Sequence, residues 1–376
     1  MQRLQLYKGI AIFVGTVIGA GVLGIPWAVG KSGFLAGLLH ILALGLAMMF
    51  VNLCVGELTL RTQGDHQLAG YAGLYLGKWG KRLMMLSLMI GIYGALIAYT
   101  VGIGQSAAQI FGLEPWLWSA LFYILGIILV SLDIKRIGLP EMFLSLTKLG
   151  LLITIFIVIS ASGLIQSENL TKFVTPEFLA PYGVVLFAYL GMSAVPEVRE
   201  VMLGSWQLMK NAIIIGSLIP IILYALFTFA VVGSLGSNIS EVATISIGSI
   251  LGRAGIMLIN AFAIFAMFSA FVPVSIALRH AYSHDFGLRK PLALLLVFSA
   301  PVLLILAGVH SFARTLEVAG ALAGGIGGTL IILMWLKAKT VGERKPEYSL
   351  ELPIFFAYLL IAMFILGAGY VIYSIV

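Results

Sequence analysis

The sequence predicts an all-α integral membrane protein with eleven transmembrane helices. Three observations predict it: 61% of the 376 residues are hydrophobic, only 10% are charged, and the mean hydropathy is +1.10. A soluble domain carries about 25% charged residues and does not expose this much apolar surface to water. The single cysteine, Cys54, excludes an intrachain disulfide.

Apolar runs long enough to cross the hydrocarbon core recur along the whole chain. A helix needs about 20 apolar residues to cross about 30 Å of hydrocarbon. Windows of that length give eleven spans, at 8–30, 33–60, 82–111, 115–132, 141–164, 177–202, 207–235, 244–279, 290–307, 312–336 and 351–375. The connections are short, so no inserted soluble domain is expected.

Basic residues are distributed unequally between the two sets of connections. With the N-terminus inside, the outside segments hold Lys31, Lys172, Arg253 and Arg314, and nearly all other basic residues are inside, including Lys135 and Arg136. Lysine and arginine accumulate on the cytoplasmic side of membrane helices. We therefore expect a multi-pass protein of the cell (plasma) membrane, embedded in the lipid bilayer, with a cytoplasmic N-terminus and an outside C-terminus. The net charge of +7 reflects topology, and no nucleic-acid partner is expected.

Two spans are interrupted near their middle by residues that hold a helix together poorly. Span one contains "GTVIGAGVLGIP" (15–26), with four glycines and a proline. Span six contains "LFAYLGMSAVPEVRE" (186–200), with Gly191, Ser193 and Pro196. The two spans are five apart, so they cross the membrane in opposite directions. Interrupted helices at matching positions of two antiparallel halves indicate a transporter binding site.

The two breaks free backbone groups that favour opposite charges. Unpaired backbone groups in hydrocarbon cost several kcal/mol each, so non-helical backbone persists only where it lines a polar cavity. Freed amides around Gly19–Gly21 favour a carboxylate, and freed carbonyls around Tyr189–Gly191 favour an ammonium group. An α-amino acid carries both groups, which makes it the expected substrate. The alternative for such small residues is close helix packing, which is favoured for "GGIGG" (324–328).

Three stretches also carry a family resemblance: "GTVIGAGVLGIPWAVGKSGF" (15–34), "GELTLRTQGDHQLAGYAGLYLGKWGK" (56–81) and "YLGMSAVPEVREVM" (189–202). The first resembles the first-helix signature of the amino acid/auxin permease family, within the amino acid–polyamine–organocation superfamily. The other two resemble its prokaryotic branch. The resemblance implies secondary active transport by alternating access.

The same resemblance implies a LeuT-like fold, a five-plus-five inverted repeat with discontinuous helices 1 and 6. The first repeat would cover 1–165, the second 166–340, and an additional helix 341–376, all within one membrane domain. A monomer is the simplest expectation, and the glycine motifs fit either internal packing or assembly.

Carried over position by position, the resemblance also implies a substrate site. The substrate would contact the chain around Val17, Ile18, Gly19, Ala20 and Gly21, and around Ala188, Tyr189, Gly191 and Ser193. Tyr93 is the candidate for a hydroxyl that faces the substrate carboxylate, with Tyr99 as the alternative. The two tyrosines are six residues apart and do not share a helix face. Packing is the competing interpretation for either one. Neutral or aromatic amino acids are the expected substrates.

Lys148 is the one basic residue well inside a span, roughly 10 Å from the start of span five. A charge at the bilayer centre costs about 2.5–3.5 kcal/mol, so such residues usually carry function. Proton-coupled and ion-independent members of the superfamily place a lysine where sodium-coupled relatives bind sodium, and Lys148 resembles that residue. Ser269 beside Ala270 departs from the adjacent hydroxyls of a sodium site, which favours protons. The alternatives are sodium coupling, and a Lys148 that reaches back to the headgroups.

Glu57 and Glu197 lie towards the predicted cytoplasmic ends of spans two and six, with Arg61 and Arg199 one turn or less away. We expect structural ion pairs or an inner gate there, with Pro196 in the same segment.

Two histidines four apart beside Asp285, in "HAYSHDFG" (280–287), have a weak metal-ligand spacing, but a solvated loop end is the favoured interpretation. The sequence contains no HExxH motif, phosphate-binding loop or cofactor motif, so neither an enzyme nor a cofactor is expected. A channel is the alternative from another class, but the sequence shows no charged ring.

Overall fold

The computed structural model describes residues 2–132, 141–285 and 287–374. Lys135 and Arg136, which the orientation prediction uses, lie outside the described residues. All regular elements in the described part are helical. The α-helices are α1 (Gln2–Val17), α2 (Gly21–Ser32), α3 (Phe34–Arg61), α4 (Leu68–Phe111), α5 (Pro115–Ser131), α6 (Glu141–Ala161), α7 (Ser167–Thr171), α8 (Pro181–Ala188), α9 (Ala194–Val201), α10 (Met209–Leu235), α11 (Ala243–Ile250), α12 (Gly252–His280), α13 (Lys290–Leu306), α14 (Phe312–Val341) and α15 (Ile354–Tyr373). Short 3₁₀ turns at Thr175–Glu177 and Trp206–Leu208 and a π turn at Ala281–Asp285 complete the set.

Six of the described helices are long and apolar enough to cross a membrane, namely α3, α4, α10, α12, α14 and α15. The α1–α2 pair qualifies as a seventh span and is bent by 54° at its break. Three shorter apolar helices lie within α5, α6 and α13. The predicted eleven spans are reached only if these three and the α8–α9 pair also cross.

Two glycines divide helical segments at positions that the span prediction did not mark. The predicted span at 244–279 divides into α11 and α12 at Gly252, whose φ is +73°. Helix α4 begins at Leu68 and has a non-helical kink at Gly77 (φ +73°), so the predicted span at 82–111 lies within the segment that follows the kink. Only glycine adopts this backbone region without a steric penalty, so each glycine lets one helix end and the next begin in a new direction.

Helix α14 lies at the centre of the bundle and packs against α3, α4, α8 and α15. Its glycines make the packing close. A Cβ on Gly320 would lie 2.1 Å from the carbonyl oxygen of Gly183, and one on Gly324 would lie 2.7 Å from the Leu186 side chain. The packing interpretation of the "GGIGG" run therefore agrees with the structure.

The helix ends gather at two faces. At the first, the N-terminal face, Gln5 Nε2 of α1 donates to the carbonyl of Leu203 after α9 (2.9 Å). There the amide of Glu343 after α14 donates to the carbonyl of Arg61 at the end of α3 (2.9 Å).

The second group of helix ends forms the far face, at the other end of α3. The amide of Val174 donates to the carbonyl of Ser32 at the end of α2 (2.9 Å). Near the end of α10, the amide of Gln166 donates to the carbonyl of Gly233 (2.9 Å). Helices that join the two faces therefore run across the whole bundle.

Candidate functional site

The two breaks predicted from sequence meet in the interior of the bundle. Helix α1 ends at Val17 and α2 begins at Gly21, while α8 ends at Ala188 and α9 begins at Ala194. A Cβ on Gly21 would lie 2.6 Å from the Ala188 Cα, and one on Gly191 would lie 2.3 Å from a Val17 methyl carbon. Any larger residue at either glycine would push the breaks apart, so these glycines permit the contact.

The start of α2 presents free backbone donors. Within the described part of the chain, no hydrogen bond is donated by the amides of Gly21 or Val22, and none by the amide of Ser193 before α9. The first N–H groups of a helix carry no intrahelical partner and, with the helix dipole, favour an anion. The freed amides on which the span-one prediction depends are therefore present, and the Ser193 amide before α9 adds a third donor.

The carbonyls at the end of α8 are mostly already paired. The carbonyls of Leu186 and Phe187 accept from the amides of Tyr189 and Leu190. The Ala188 carbonyl accepts from a tyrosine hydroxyl described below. Among the described hydrogen bonds none reaches the Tyr189 carbonyl. The Leu190 carbonyl, whose residue lines the cavity, accepts none either, so the predicted cation-binding character of this break narrows to these two groups.

A cavity of about 140 Å³ lies between the breaks. A single water needs only about 10–15 Å³ of such space, so the cavity has room for a small organic molecule. Besides the breaks, its walls come from α4 (Ser87, Gly91 and Tyr99), α12 (Val274) and α14 (Ala323). None of the described residues in its lining is an Asp, Glu, Lys, Arg or His. The walls therefore suit a guest with an uncharged side chain.

The structure brings most of the predicted backbone site together. Val17, Gly19, Gly21, Ala188 and Ser193 line the cavity. Ile18, Ala20, Tyr189 and Gly191 lie at the breaks but do not line it. The side chains of Ile18 and Ala20 are instead buried in the core.

Of the two candidate tyrosines, Tyr99 lines the cavity and Tyr93 does not. The Tyr99 hydroxyl lies 3.5 Å from the position that a Cβ on Gly19 would take. The Tyr93 hydroxyl is bonded to the Tyr282 hydroxyl (2.6 Å) and donates to the Leu296 carbonyl (3.0 Å). The rotation of α4 about its axis, set by packing against α14 and α12, decides which of the two faces the breaks.

Lys148 on α6 is directed at the end of α1. Its side chain is buried, and its Nζ lies 3.3 Å from the carbonyl oxygen of Ile18 and 3.4 Å from that of Gly15. Those carbonyls belong to the last turn of α1 and to the break, so one ammonium group joins α6 to the interrupted helix. The Ser269 hydroxyl donates to the Ala266 carbonyl of its own helix (3.0 Å) and does not line the cavity.

Glu57 forms a buried network at the N-terminal face. It is fully buried and accepts hydrogen bonds from Arg61 Nε, Trp335 Nε1 and the Leu350 amide, all at 2.8 Å. The Ser349 hydroxyl adds a fourth at 3.0 Å. The predicted Glu57–Arg61 pair is therefore present, and it also fixes α14 and the segment before α15.

Arg199 of α9 has a partner that the sequence did not indicate. Its guanidinium forms an ion pair with Asp65, from the α3–α4 connection, and donates to the Gly64 carbonyl (2.8 Å). Pro196 is buried in the same short helix, whereas Glu197 is exposed. Asp65 lies far away along the chain, so only the fold brings the pair together.

Tyr224 is a further site residue that sequence analysis missed. Its hydroxyl lies 3.0 Å from the Val17 carbonyl oxygen and 3.1 Å from the Ala188 carbonyl oxygen. These residues end α1 and α8, so one side chain contacts both breaks. A tyrosine within the apolar α10 segment gives no local signal that separates it from a packing residue.

Two half-helix pairs around a central cavity within a bundle of apolar helices define a class of protein, the transporters with discontinuous helices. The chain belongs to the tryptophan/tyrosine permease family, whose model matches residues 2–372. It is accordingly a multi-pass membrane permease and not an enzyme. The predicted resemblance to amino acid permeases is thus confirmed at the level of a permease family.

Individual relatives are distant but extend over much of the chain. Glutamine transporter 2 of Aliivibrio fischeri is 23% identical over 85% of this chain and 86% of its own length. Tyrosine-specific transport system 2 of Haemophilus influenzae is 24% identical over 63% of this chain and 60% of its own length.

Solved structures show the same fold. The crystal structure of MhsT in complex with L-phenylalanine has a TM-score of 0.67 and 18% identity, covering 97% of this chain and 98% of its own. A manganese transporter of Eremococcus coleocola has a TM-score of 0.64 and 14% identity, covering 99% and 95%. At these identities the likeness concerns the fold alone, and the all-helical, LeuT-like architecture agrees with the prediction.

Proposed function

We propose that the chain is a secondary active transporter that imports a neutral or aromatic amino acid by alternating access, coupled to protons through Lys148. One observation carries the proposal: the two helix breaks enclose a cavity with free backbone donors and no charged side chain in its described lining. The glutamine and tyrosine in the relatives' names, and the phenylalanine bound to the structural neighbour, support an amino acid as substrate.

The proposal includes the architecture that the permease resemblance implies. The three short apolar helices and the α8–α9 pair cross the membrane with the seven longer spans, which gives eleven. Spans one to five and six to ten form inverted repeats, in a monomer of the amino acid–polyamine–organocation superfamily. The N-terminal face is cytoplasmic, the far face is outside, and the membrane is the plasma membrane.

In the proposed pose the substrate carboxylate lies at the start of α2. There it accepts from the amides of Gly21 and Val22, which the structure leaves without acceptors among the described residues, and from the Tyr99 hydroxyl. The ammonium group lies against the Leu190 carbonyl, which accepts no described hydrogen bond and belongs to a residue that lines the cavity. The substrate side chain extends towards Gly91 and Ala323, where small residues leave room.

Lys148 supplies the proposed coupling. In its charged form it makes charge-assisted hydrogen bonds to the Gly15 and Ile18 carbonyls, which are stronger than bonds from a neutral amine. Protonation therefore stabilises α1 against α6, and proton release loosens it. A proton taken up on one side and released on the other would bias the movement of α1 between two positions.

The cavity is accessible from the N-terminal face and closed towards the far face. Thr16 and Ser193, on that side of the breaks, line the cavity and are exposed. On the far side, Leu23, Ile25 and Val184 are fully buried. With the proposed orientation, this is the inward-facing state of the transport cycle.

Counterflow in sealed proteoliposomes tests the carrier directly. Vesicles loaded with unlabelled tyrosine, glutamine or phenylalanine should accumulate the matching labelled amino acid in a saturable manner, without any ion gradient. Uptake that rises linearly with concentration would indicate the channel alternative instead. Saturable uptake that requires sodium would retain the carrier and replace the proton by sodium as the driving ion.

A further inference from the structure

Tyr224 of α10 joins the two breaks through one hydroxyl group. Its oxygen lies 3.0 Å from the Val17 carbonyl oxygen and 3.1 Å from the Ala188 carbonyl oxygen, and the side chain is fully buried. Val17 and Ala188 are the last residues of α1 and α8, and both line the central cavity. The hydroxyl therefore links the two cavity walls that the broken helices provide.

The chemistry at this point requires a hydrogen-bond donor. The last carbonyls of a helix lack intrahelical partners and carry its negative dipole end, so two helix ends that converge repel each other. A tyrosine hydroxyl has a single proton, which it shares between the two acceptors or gives to either one. Removing it would leave the Ala188 carbonyl without a donor among the described hydrogen bonds, and the Val17 carbonyl with the Gly19 amide alone (3.0 Å).

The tyrosine ring is also held in place by packing, in addition to its two hydroxyl contacts. It packs against Tyr189 with ring centroids 5.2 Å apart, and the Tyr189 hydroxyl donates to the Ile41 carbonyl of α3 (3.1 Å). Helix α10 also contacts α1, α2, α3 and α6. The hydroxyl is thus presented to the breaks from a packed helix, with little freedom to move away.

We propose that Tyr224 is a positioning residue for transport, whose hydroxyl holds the ends of α1 and α8 at the spacing that forms the substrate cavity. Only the expected effect of Tyr224 on transport rests on the proposed function. The effect on the two breaks is a property of the substrate-free protein. Tyr224 does not line the cavity, so it acts on the substrate through Val17 and Ala188.

Three variants of the full-length protein test the proposal. Tyr224→Phe keeps the ring and removes the donor. Incorporation of 4-aminophenylalanine at position 224 keeps a donor at the same reach, with one N–H for each carbonyl. Tyr123→Phe is the matched control, because the buried Tyr123 hydroxyl donates to a single carbonyl, that of Phe298 (2.7 Å), away from the breaks.

The first measurement is hydrogen–deuterium exchange without substrate, in lipid nanodiscs. Segments 18–23 and 189–195 should exchange at least about tenfold faster in Tyr224→Phe, but at the wild-type rate in Tyr123→Phe and in the 4-aminophenylalanine protein. The second is uptake, in which Tyr224→Phe should raise KM about tenfold and change the maximal rate less than about twofold. The 4-aminophenylalanine protein should restore the wild-type KM.

Wild-type exchange in Tyr224→Phe, or equal acceleration in Tyr123→Phe, would overturn the proposal. A wild-type protein that carries no amino acid would defeat the proposed function, and the exchange data alone would then decide the role of Tyr224. If Tyr224→Phe does not fold, the 4-aminophenylalanine protein decides: wild-type exchange supports the proposal, and accelerated exchange contradicts it.

Discussion

The ammonium nitrogen of Lys148 lies 3.3 Å from the carbonyl oxygen of Ile18, within the break of the first discontinuous helix. The same nitrogen lies 3.4 Å from the Gly15 carbonyl in the last turn of α1. Lys148 therefore contacts two carbonyls at the end of α1, where the helix break leaves no described amide to pair with them. This contact connects a basic side chain of α6 to the end of the helix that lines the cavity.

We expect Tyr99→Phe to raise the substrate KM about tenfold. A hydrogen bond to a charged group contributes about 1.5–3 kcal/mol, and the proposed partner of the Tyr99 hydroxyl is the substrate carboxylate. Tyr93→Phe is the control, since its hydroxyl is bonded to Tyr282 and Leu296 instead. Concentration-dependent uptake measures both. A raised KM in Tyr93→Phe with an unchanged KM in Tyr99→Phe would show that Tyr93, and not Tyr99, contacts the substrate carboxylate.

Ala323→Leu should narrow the range of substrates. Ala323 lines the cavity beside Gly91, on which an added Cβ would already lie 3.2 Å from the Ala323 methyl group. Three further carbon atoms at this wall should exclude aromatic substrates more than small ones. Competition of unlabelled phenylalanine and alanine against labelled substrate measures their apparent affinities. The ratio of the phenylalanine affinity to the alanine affinity should fall at least about tenfold. Ala357→Leu, on α15 and outside the cavity lining, serves as the control. An unchanged ratio in Ala323→Leu would contradict the proposed pose.

Glu57→Ala should destabilise the fold strongly. Removing one partner of a buried ion pair costs about 3–5 kcal/mol, and Glu57 also accepts from Trp335 and the Leu350 amide. We expect the unfolding midpoint in detergent to fall by about 5–10 °C. The control, Glu347→Ala, breaks a more exposed pair with Arg344, which is worth about 0–1 kcal/mol. Equal midpoints in the two variants would mean that the Glu57 network is not structural.

Cysteine labelling tests the accessible side of the cavity. Ser193→Cys, in a Cys54→Ala background, should react with a membrane-impermeant thiol reagent applied from the cytoplasmic side, and bound substrate should slow the reaction. Ile25→Cys, on the fully buried far side, should not react. Reaction of Ser193→Cys only from outside would reverse the proposed orientation of the chain.

The sequence predicts the two breaks well because a break is a local property. Glycine at 19, 21 and 191 disfavours continuous helix wherever the segment lies in the fold, whereas Pro26 and Pro196 lie inside α2 and α9, after the breaks. The buried lysine is equally visible, because a charge within an apolar run is costly in any membrane fold. Local chemistry therefore indicated the centre of the site.

Side-chain facing could not be predicted in the same way. Tyr93 and Tyr99 occupy the same helix, and the rotation of α4 about its axis decides between them. That rotation depends on contacts such as Gly94 against Ala319, where a Cβ would lie 2.2 Å from the neighbouring methyl group. The Arg199–Asp65 ion pair and the contacts of Tyr224 with the two breaks could not be predicted for a related reason. In each case the partners are distant in sequence.

Uptake under an imposed pH gradient tests the central claim most directly. Sealed vesicles containing purified protein, acidic outside and free of sodium, should accumulate labelled tyrosine or glutamine above equilibrium. Lys148→Met should abolish this accumulation while leaving counterflow, and Lys172→Met, an exposed lysine at the far face, should leave both intact. Accumulation that persists in Lys148→Met, or that appears only with sodium, would contradict proton coupling through Lys148.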